Sequence, residues 1–131
     1  MITVVDASTV VAALIDSGPD GRWAETLLAD DLAAPHILPV EVASVMRRAA
    51  RAGDISDDVA SLAHGDLVDL RVELFGYEVV AQRVWELRGN VSPYDAWYVA
   101  IAELLDAPLA TLDRRLTAAP GPRCEFRTPS S

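Results

Sequence analysis

The chain contains no lysine: all eleven of its basic residues are arginine. That absence excludes a phosphate-cradling loop ending on lysine, and any Schiff-base or catalytic lysine. Cysteine is almost as scarce. Cys124 stands alone, so no disulfide can close within the chain, and a reducing compartment, the cytoplasm, is expected. Long apolar runs are missing too. The stretch from Ile2 to Ile15 is interrupted by Asp6 and falls short of a membrane span. No basic residue precedes it, so no signal peptide is expected. His36 and His64 lack the paired spacing of a zinc site. Neither a Gly-x-Ser-x-Gly elbow nor a Gly-x-Gly-x-x-Gly fingerprint occurs.

What is present is 131 residues, half of them apolar, which suits one domain (1–131) around one core. The net charge of −9 lacks the basic footprint usual for a nucleic-acid partner. Two divalent ions bound at one place would cancel four of those charges where a polyanion docks. Asp54, Asp57, Asp58, Asp66 and Asp69 cluster on a middle segment that need not face such a place.

Strand and helix patterns alternate along the chain. Ile2 to Val5 is a β-branched apolar run that predicts a buried strand, followed by a short helix over Ser8 to Ile15. Ser17-Gly18-Pro19 marks a break, and Arg22 to Ala29 carries apolar residues at helical spacing. Leu32 to Ile37 is a weaker strand. Pro39 opens a helix ending near Gly53, with Val42, Val45, Met46 and Ala49 as its apolar stripe. Ser56 starts a helix reaching about Leu67, Leu70 to Phe75 reads as a strand, and Glu78 to Leu87 as a helix. The helix from Ser92-Pro93 is apolar nearly all round, through Leu104 and Leu105, and is expected to be buried. Pro108 to Leu112 is a strand, Arg114 to Ala118 a helical turn, and Cys124 to Arg127 an edge strand. The tail from Thr128 to Ser131 is expected to fray. The alternation predicts an α/β fold with a central parallel sheet flanked by helices.

Against this order, Asp6, Glu41, Asp95 and Asp113 each fall where a strand hands over to a helix, or in a helix's first turn. Strand carboxyl ends line one edge of a parallel sheet, so these acids would converge there. Carboxylates gathered without a base repel by roughly 4 kcal/mol per pair at 4 Å and an effective dielectric of 20. A hard divalent cation, Mg²⁺ or Mn²⁺, neutralises such a group best. Each acid also has a simpler role: Asp6 and Asp113 as N-caps, Glu41 as a charge at a helix's positive end, and Asp95 in a capping box after Ser92. Four such coincidences at one sheet edge favour a shared site. Ser8 is expected to cap a helix rather than join it. Arg47, Arg48 and Arg51 follow Glu41 on the same helix, Arg48 near its face, and are expected to hold phosphate backbone. Receiver-type and haloacid-type phosphotransfer domains also group aspartates around Mg²⁺, but they use a lysine.

Four segments carry a resemblance: Val4-Val5-Asp6-Ala7-Ser8, Leu38-Pro39-Val40-Glu41-Val42, Ser92-Pro93-Tyr94-Asp95-Ala96 and Thr111-Leu112-Asp113-Arg114-Arg115-Leu116. In that order, over essentially the whole length, the chain resembles the PIN-domain ribonucleases, most closely the VapC-type toxins of bacterial toxin–antitoxin pairs. The resemblance implies a Rossmann-like PIN domain in which Asp6, Glu41, Asp95 and Asp113 form the acidic metal-binding quartet. It further implies a Mg²⁺- or Mn²⁺-dependent endoribonuclease that cuts tRNA or ribosomal RNA, a homodimer, and a small cognate antitoxin whose C-terminal segment fills the active-site groove. Two other readings stay open on the residues alone: a catalytically silent RNA- or protein-binding module, or a DNA-directed metal nuclease.

Overall fold

Ile2–Val5 forms the strand (β1) at the centre of a five-stranded sheet in the computed structural model, which describes residues 1–130. Its Val4 and Val5 are fully buried, as a β-branched run between two neighbouring strands requires. β1 runs parallel to Asp31–Pro35 (β2) on one side, with Thr3 opposite Leu32. On the other side it runs parallel to Leu109–Ala110 (β4), with Val5 opposite Ala110. Val72–Phe75 (β3) and Phe126–Arg127 (β5) complete the order β3-β2-β1-β4-β5, every pair parallel.

The chain therefore leaves β1 towards β2 and β3, then returns on the opposite side through β4 and β5. Strand order reverses between β1 and β4, and the crevice at such a reversal opens outside the strands' carboxyl ends. Asp6 follows β1 directly, and Thr111 follows β4.

Among the described residues seven α-helices surround the sheet: Ala7–Ile15 (α1), Pro19–Leu27 (α2), Leu38–Arg51 (α3), Asp57–Asp69 (α4), Ala81–Glu86 (α5), Pro93–Leu105 (α6) and Arg114–Ala118 (α7). α6 packs on β1, β2 and β4, while α1 packs on α2, α3 and α4. Ala96, Tyr98, Val99, Ala100, Ile101 and Ala102 of α6 are buried, and the small residues among them let the helix lie close to the strands. Among the described residues no helix is long and apolar enough to cross a membrane.

Several boundaries differ from expectation. α2 starts at Pro19, because proline suits a first helical position and Gly18 supplies the extended residue before it. The segment read as one helix over 78–87 divides into a 3₁₀ turn at Tyr77–Val79 and α5, parted at Val80, which leaves helical geometry at φ −127°. β3, β4 and β5 are shorter than their apolar runs. Leu104 is 53% exposed, so α6 is buried along most of its length but not all round. Thr128 and Pro129 line a small hollow beside Thr111 and Arg114, whereas the expectation for Ser131 lies outside the described residues.

Two helical glycines test the packing with opposite signs. A Cβ on Gly21 would lie 1.7 Å from the Asp16 carbonyl oxygen, because α2 turns back against the end of α1 there. A Cβ on Gly65 of α4 would meet nothing within 4 Å. Gly65→Ala should stabilise the fold by about 0.5–1 kcal/mol through helix propensity. Gly21→Ala should destabilise it by roughly 2 kcal/mol or more through overpacking. Urea midpoints measure both, and a Gly21→Ala protein as stable as wild type would contradict the close approach.

Candidate active site

Asp6 is the N-cap of α1, its extended backbone (φ −89°, ψ 174°) carrying the chain from strand into helix. Its carboxylate is only 8% exposed, and three neighbours donate to it. Oδ1 accepts from the Thr9 N–H at 3.0 Å and from the Ser8 hydroxyl at 2.6 Å. Oδ2 accepts from the Thr111 hydroxyl. Ser8 in turn accepts from the Leu112 N–H at 3.1 Å, and Thr111 Oγ1 from the Asp113 N–H at 3.0 Å. Thr9 completes the seam, its hydroxyl donating to the Ala110 carbonyl at 3.0 Å. Two hydroxyls thus tie the start of α1 to the turn after β4, and Asp6 sits at the knot.

Asp113 caps α7, accepting from Arg115 N–H at 3.0 Å and Leu116 N–H at 3.4 Å through Oδ1. Asp95 lies in the first turn of α6, where the Ser92 hydroxyl accepts its backbone N–H at 3.2 Å. The capping roles expected for Asp6 and Asp113 are therefore real. Burial raises the Asp95 carboxyl above its ordinary value, and the charges of Asp113, Asp6 and Glu41 raise it further. Asp6 is raised as well, because burial outweighs the hydrogen bonds from Ser8, Thr111 and Thr9. Glu41, in the first turn of α3, accepts at 2.7 Å from the hydroxyl of Tyr98, a residue only 2% exposed on α6. Burial first, then Glu41, Asp6 and Asp95, drive the Tyr98 phenol well above its usual range. The charges of Asp6, Glu41 and Asp113 thus all bear on the Asp95 carboxyl.

No cation answers them. Among the described residues the ion pairs join Arg83 to Glu86 and Glu103, and Arg127 to Asp30, and none touches the four acids. Nor do any three His, Cys, Asp or Glu side chains among these residues stand close enough together to hold an ion as placed. The Asp6 carboxylate is engaged by its hydroxyl and amide donors, and Glu41 by Tyr98. Carboxylate oxygens without a basic partner among the described residues are the donor type that a hard divalent cation takes.

The arginines divide. At about 100° per residue, Arg48 falls about 20° from the direction of Glu41 on α3, and Arg47 about 120° away. Arg47 and Arg51 line a shallow groove between α3 and α4 with Met46, Asp57 and His64. Arg48 is therefore the one that shares the face of Glu41.

Thr111 and Tyr98 escaped the sequence reading, and Ser8 was expected in another role. Ser8 does not cap α1, since Asp6 does, and instead bridges Asp6 to Leu112. Thr111 and Tyr98 had signals that could have been used. Thr111 is a hydroxyl at the end of an apolar run, two residues before Asp113. Tyr98 is a phenol on a buried helix face, where its hydroxyl must find a partner.

The PIN domain family model matches residues 3–122. The chain is 41% identical to Ribonuclease VapC1 of Mycobacterium tuberculosis over 126 residues, 95% of either chain. VapBC2 from Rickettsia felis, solved bound to a DNA fragment from its promoter, superposes with TM-score 0.68 at 15% identity, covering 99% of this chain and 100% of that one. VapC20 of Mycobacterium tuberculosis, a sarcin-ricin loop cleaving toxin, gives TM-score 0.66 at 16% identity over 88% and 93% of the two chains. The two structural likenesses are likenesses of fold.

The raised carboxyls have a consequence for stability. A group that folding raises above 3.8 costs nothing at pH values below that, and destabilises increasingly as pH climbs through its folded value. Asp30, lowered by the Thr3 hydroxyl, and Glu103, where Arg83 and the Arg123 N–H outweigh burial, act in the opposite sense. Comparison with Asp95→Asn cancels those two and isolates Asp95. In EDTA, Asp95→Asn should match or exceed wild type in urea midpoint at pH 7, with its advantage shrinking as pH falls towards 4. A wild-type protein more stable by the same margin at both pH values would show that Asp95 is not under repulsion.

Proposed function

Because the chain belongs to the PIN-domain family, we propose that it is the endoribonuclease toxin of a toxin–antitoxin pair, cutting a phosphodiester bond in tRNA or ribosomal RNA. What supports this reading is that Asp6, Glu41 and Asp113 all raise the Asp95 carboxyl, with Asp6 set at the reversal between β1 and β4. The 41% identity to a ribonuclease over nearly the whole chain supports the substrate class.

Mg²⁺ or Mn²⁺ is the cofactor that this donor set suits. Asp6 and Asp95 would hold it, with Asp113 and Glu41 contributing directly or through water. When bound, the ion would polarise the phosphoryl group and acidify water beside it. The remaining work belongs to the chain. Ser8, Thr9 and Thr111 hold Asp6 in register with the β4 turn. Glu41 or Asp113 orients the attacking water, which leaves 5′-phosphate and 3′-hydroxyl ends. Arg48, exposed on the face of Glu41, contacts the backbone of the bound RNA. The partners are a small antitoxin covering the acidic groove and a second copy of the chain.

Asp95→Asn separates an enzyme from a binding module. Asparagine keeps the size of the side chain and removes the charge that a cation needs. Single-turnover cleavage in Mg²⁺ should fall by about a hundredfold or more while RNA affinity persists. In the same binding assay Arg48→Ala should weaken affinity and lower its salt dependence by about one phosphate contact. Equal cleavage by wild type and Asp95→Asn, or cleavage indifferent to EDTA, would remove the carboxylates from the mechanism. Arg48→Ala with unchanged affinity and salt slope would move the RNA path elsewhere.

A further inference from the structure

Glu41 differs from Asp6 and Asp113 in how it is held. Asp6 is fixed by three donors around the β1 and β4 ends, and Asp113 by the backbone of its own helix. Glu41 has no such support. The residue before α3, Ile37, makes no side-chain cap, and among the described residues no ion pair reaches Glu41. Its one side-chain hydrogen bond among them comes from Tyr98, across the gap between α3 and α6. That bond uses Oε1 and leaves Oε2 without a protein donor. Tyr98 stands three residues after Asp95, so both project from one face of α6. One helix therefore supplies an acid of the cluster and the tether for a second acid on another helix.

From this geometry we infer that Tyr98 is a positioning residue, whose buried hydroxyl sets where Glu41 Oε2 stands relative to Asp95. The inference rests on reading the four acids as a nuclease centre. Glu41 is a flexible side chain whose charge bears on Asp95, and without the tether its rotamers are free to carry Oε2 elsewhere. The phenol is suited to the task. It is rigid, it is packed in the core, and its hydroxyl lies 2.7 Å from Glu41 Oε1, placed to donate. A lysine or arginine there would hold Glu41 more strongly but would also cancel the charge that a cation requires.

Tyr98→Phe tests this, since phenylalanine keeps the buried ring and removes only the donor. The comparison needs wild type, Tyr98→Phe, Glu41→Gln and the double variant, all checked for folding by circular dichroism. Two readouts are taken: Mn²⁺ affinity, from electron paramagnetic resonance of the free ion, and single-turnover RNA cleavage in Mg²⁺. Tyr98→Phe should weaken Mn²⁺ binding several-fold, slow cleavage about tenfold, or both, with RNA affinity unchanged. The decisive feature is dependence on Glu41: the loss should vanish when Glu41 is already glutamine. No loss in either readout, or an equal loss in the Glu41→Gln background, overturns the inference and reduces Tyr98 to a packing residue. Wild type that binds Mn²⁺ but cuts no RNA would defeat the nuclease reading. The Mn²⁺ comparison would still decide the role of Tyr98.

Discussion

A buried carboxylate fastened by two hydroxyls from distant parts of the chain is the constraint on which the site depends. Asp6 closes β1 and opens α1, and burial alone would favour its neutral form. Hydrogen bonds to a charged group contribute about 1.5–3 kcal/mol each, which is the scale needed to keep such a group in place. Ser8 and Thr111 provide them, and each also binds a backbone N–H of the turn after β4. The same four-way contact that holds Asp6 thereby places Asp113, whose backbone N–H is one of the two. The strand order makes this possible, because only neighbouring strands on either side of a reversal bring residues 6 and 111 together.

From that anchor the rest of the centre is arranged by packing rather than by charge pairing. α6 lies on β1, β2 and β4 through its buried alanines and valine, which fixes the height of Asp95 above the strand ends. Tyr98 bridges α6 to Glu41 in the first turn of α3. Among the described residues no ion pair relieves the charge that Asp6, Glu41 and Asp113 place on Asp95. A fold that withholds its arginines from four acids reserves their charge for something else, and a divalent cation is the partner whose chemistry matches oxygen donors alone.

Much of this was legible in the sequence because the relevant signals are local. Val4-Val5 ahead of Asp6 shows a buried strand end, Pro39 and Pro93 mark helix starts, and the alternation of elements gives the parallel sheet. The four acids were visible as helix-start residues, and the structure shows Asp6 and Asp113 as the N-caps of α1 and α7. What could not be read were contacts between remote residues. Ser8 to Leu112 and Thr111 to Asp6 span more than a hundred positions, and Tyr98 to Glu41 spans 57. Short strands were overread for a related reason. An apolar run records burial, whereas the ladder stops where the backbone turns to aim a side chain, as it does after Ala110. The arginines of α3 were read as one patch, and helix rotation parts Arg48 from Arg47 and Arg51.

The central claim is that four acids from four helices form one cation site. Mn²⁺ titrated into isotopically labelled protein tests it directly, because the ion broadens amide resonances within its reach. At substoichiometric Mn²⁺ the amides of Asp6, Glu41, Asp95, Asp113 and Thr111 should broaden together, and the pattern should disappear in Asp95→Asn. Broadening confined to the acidic stretch from Asp54 to Asp69, with those amides untouched, would contradict it.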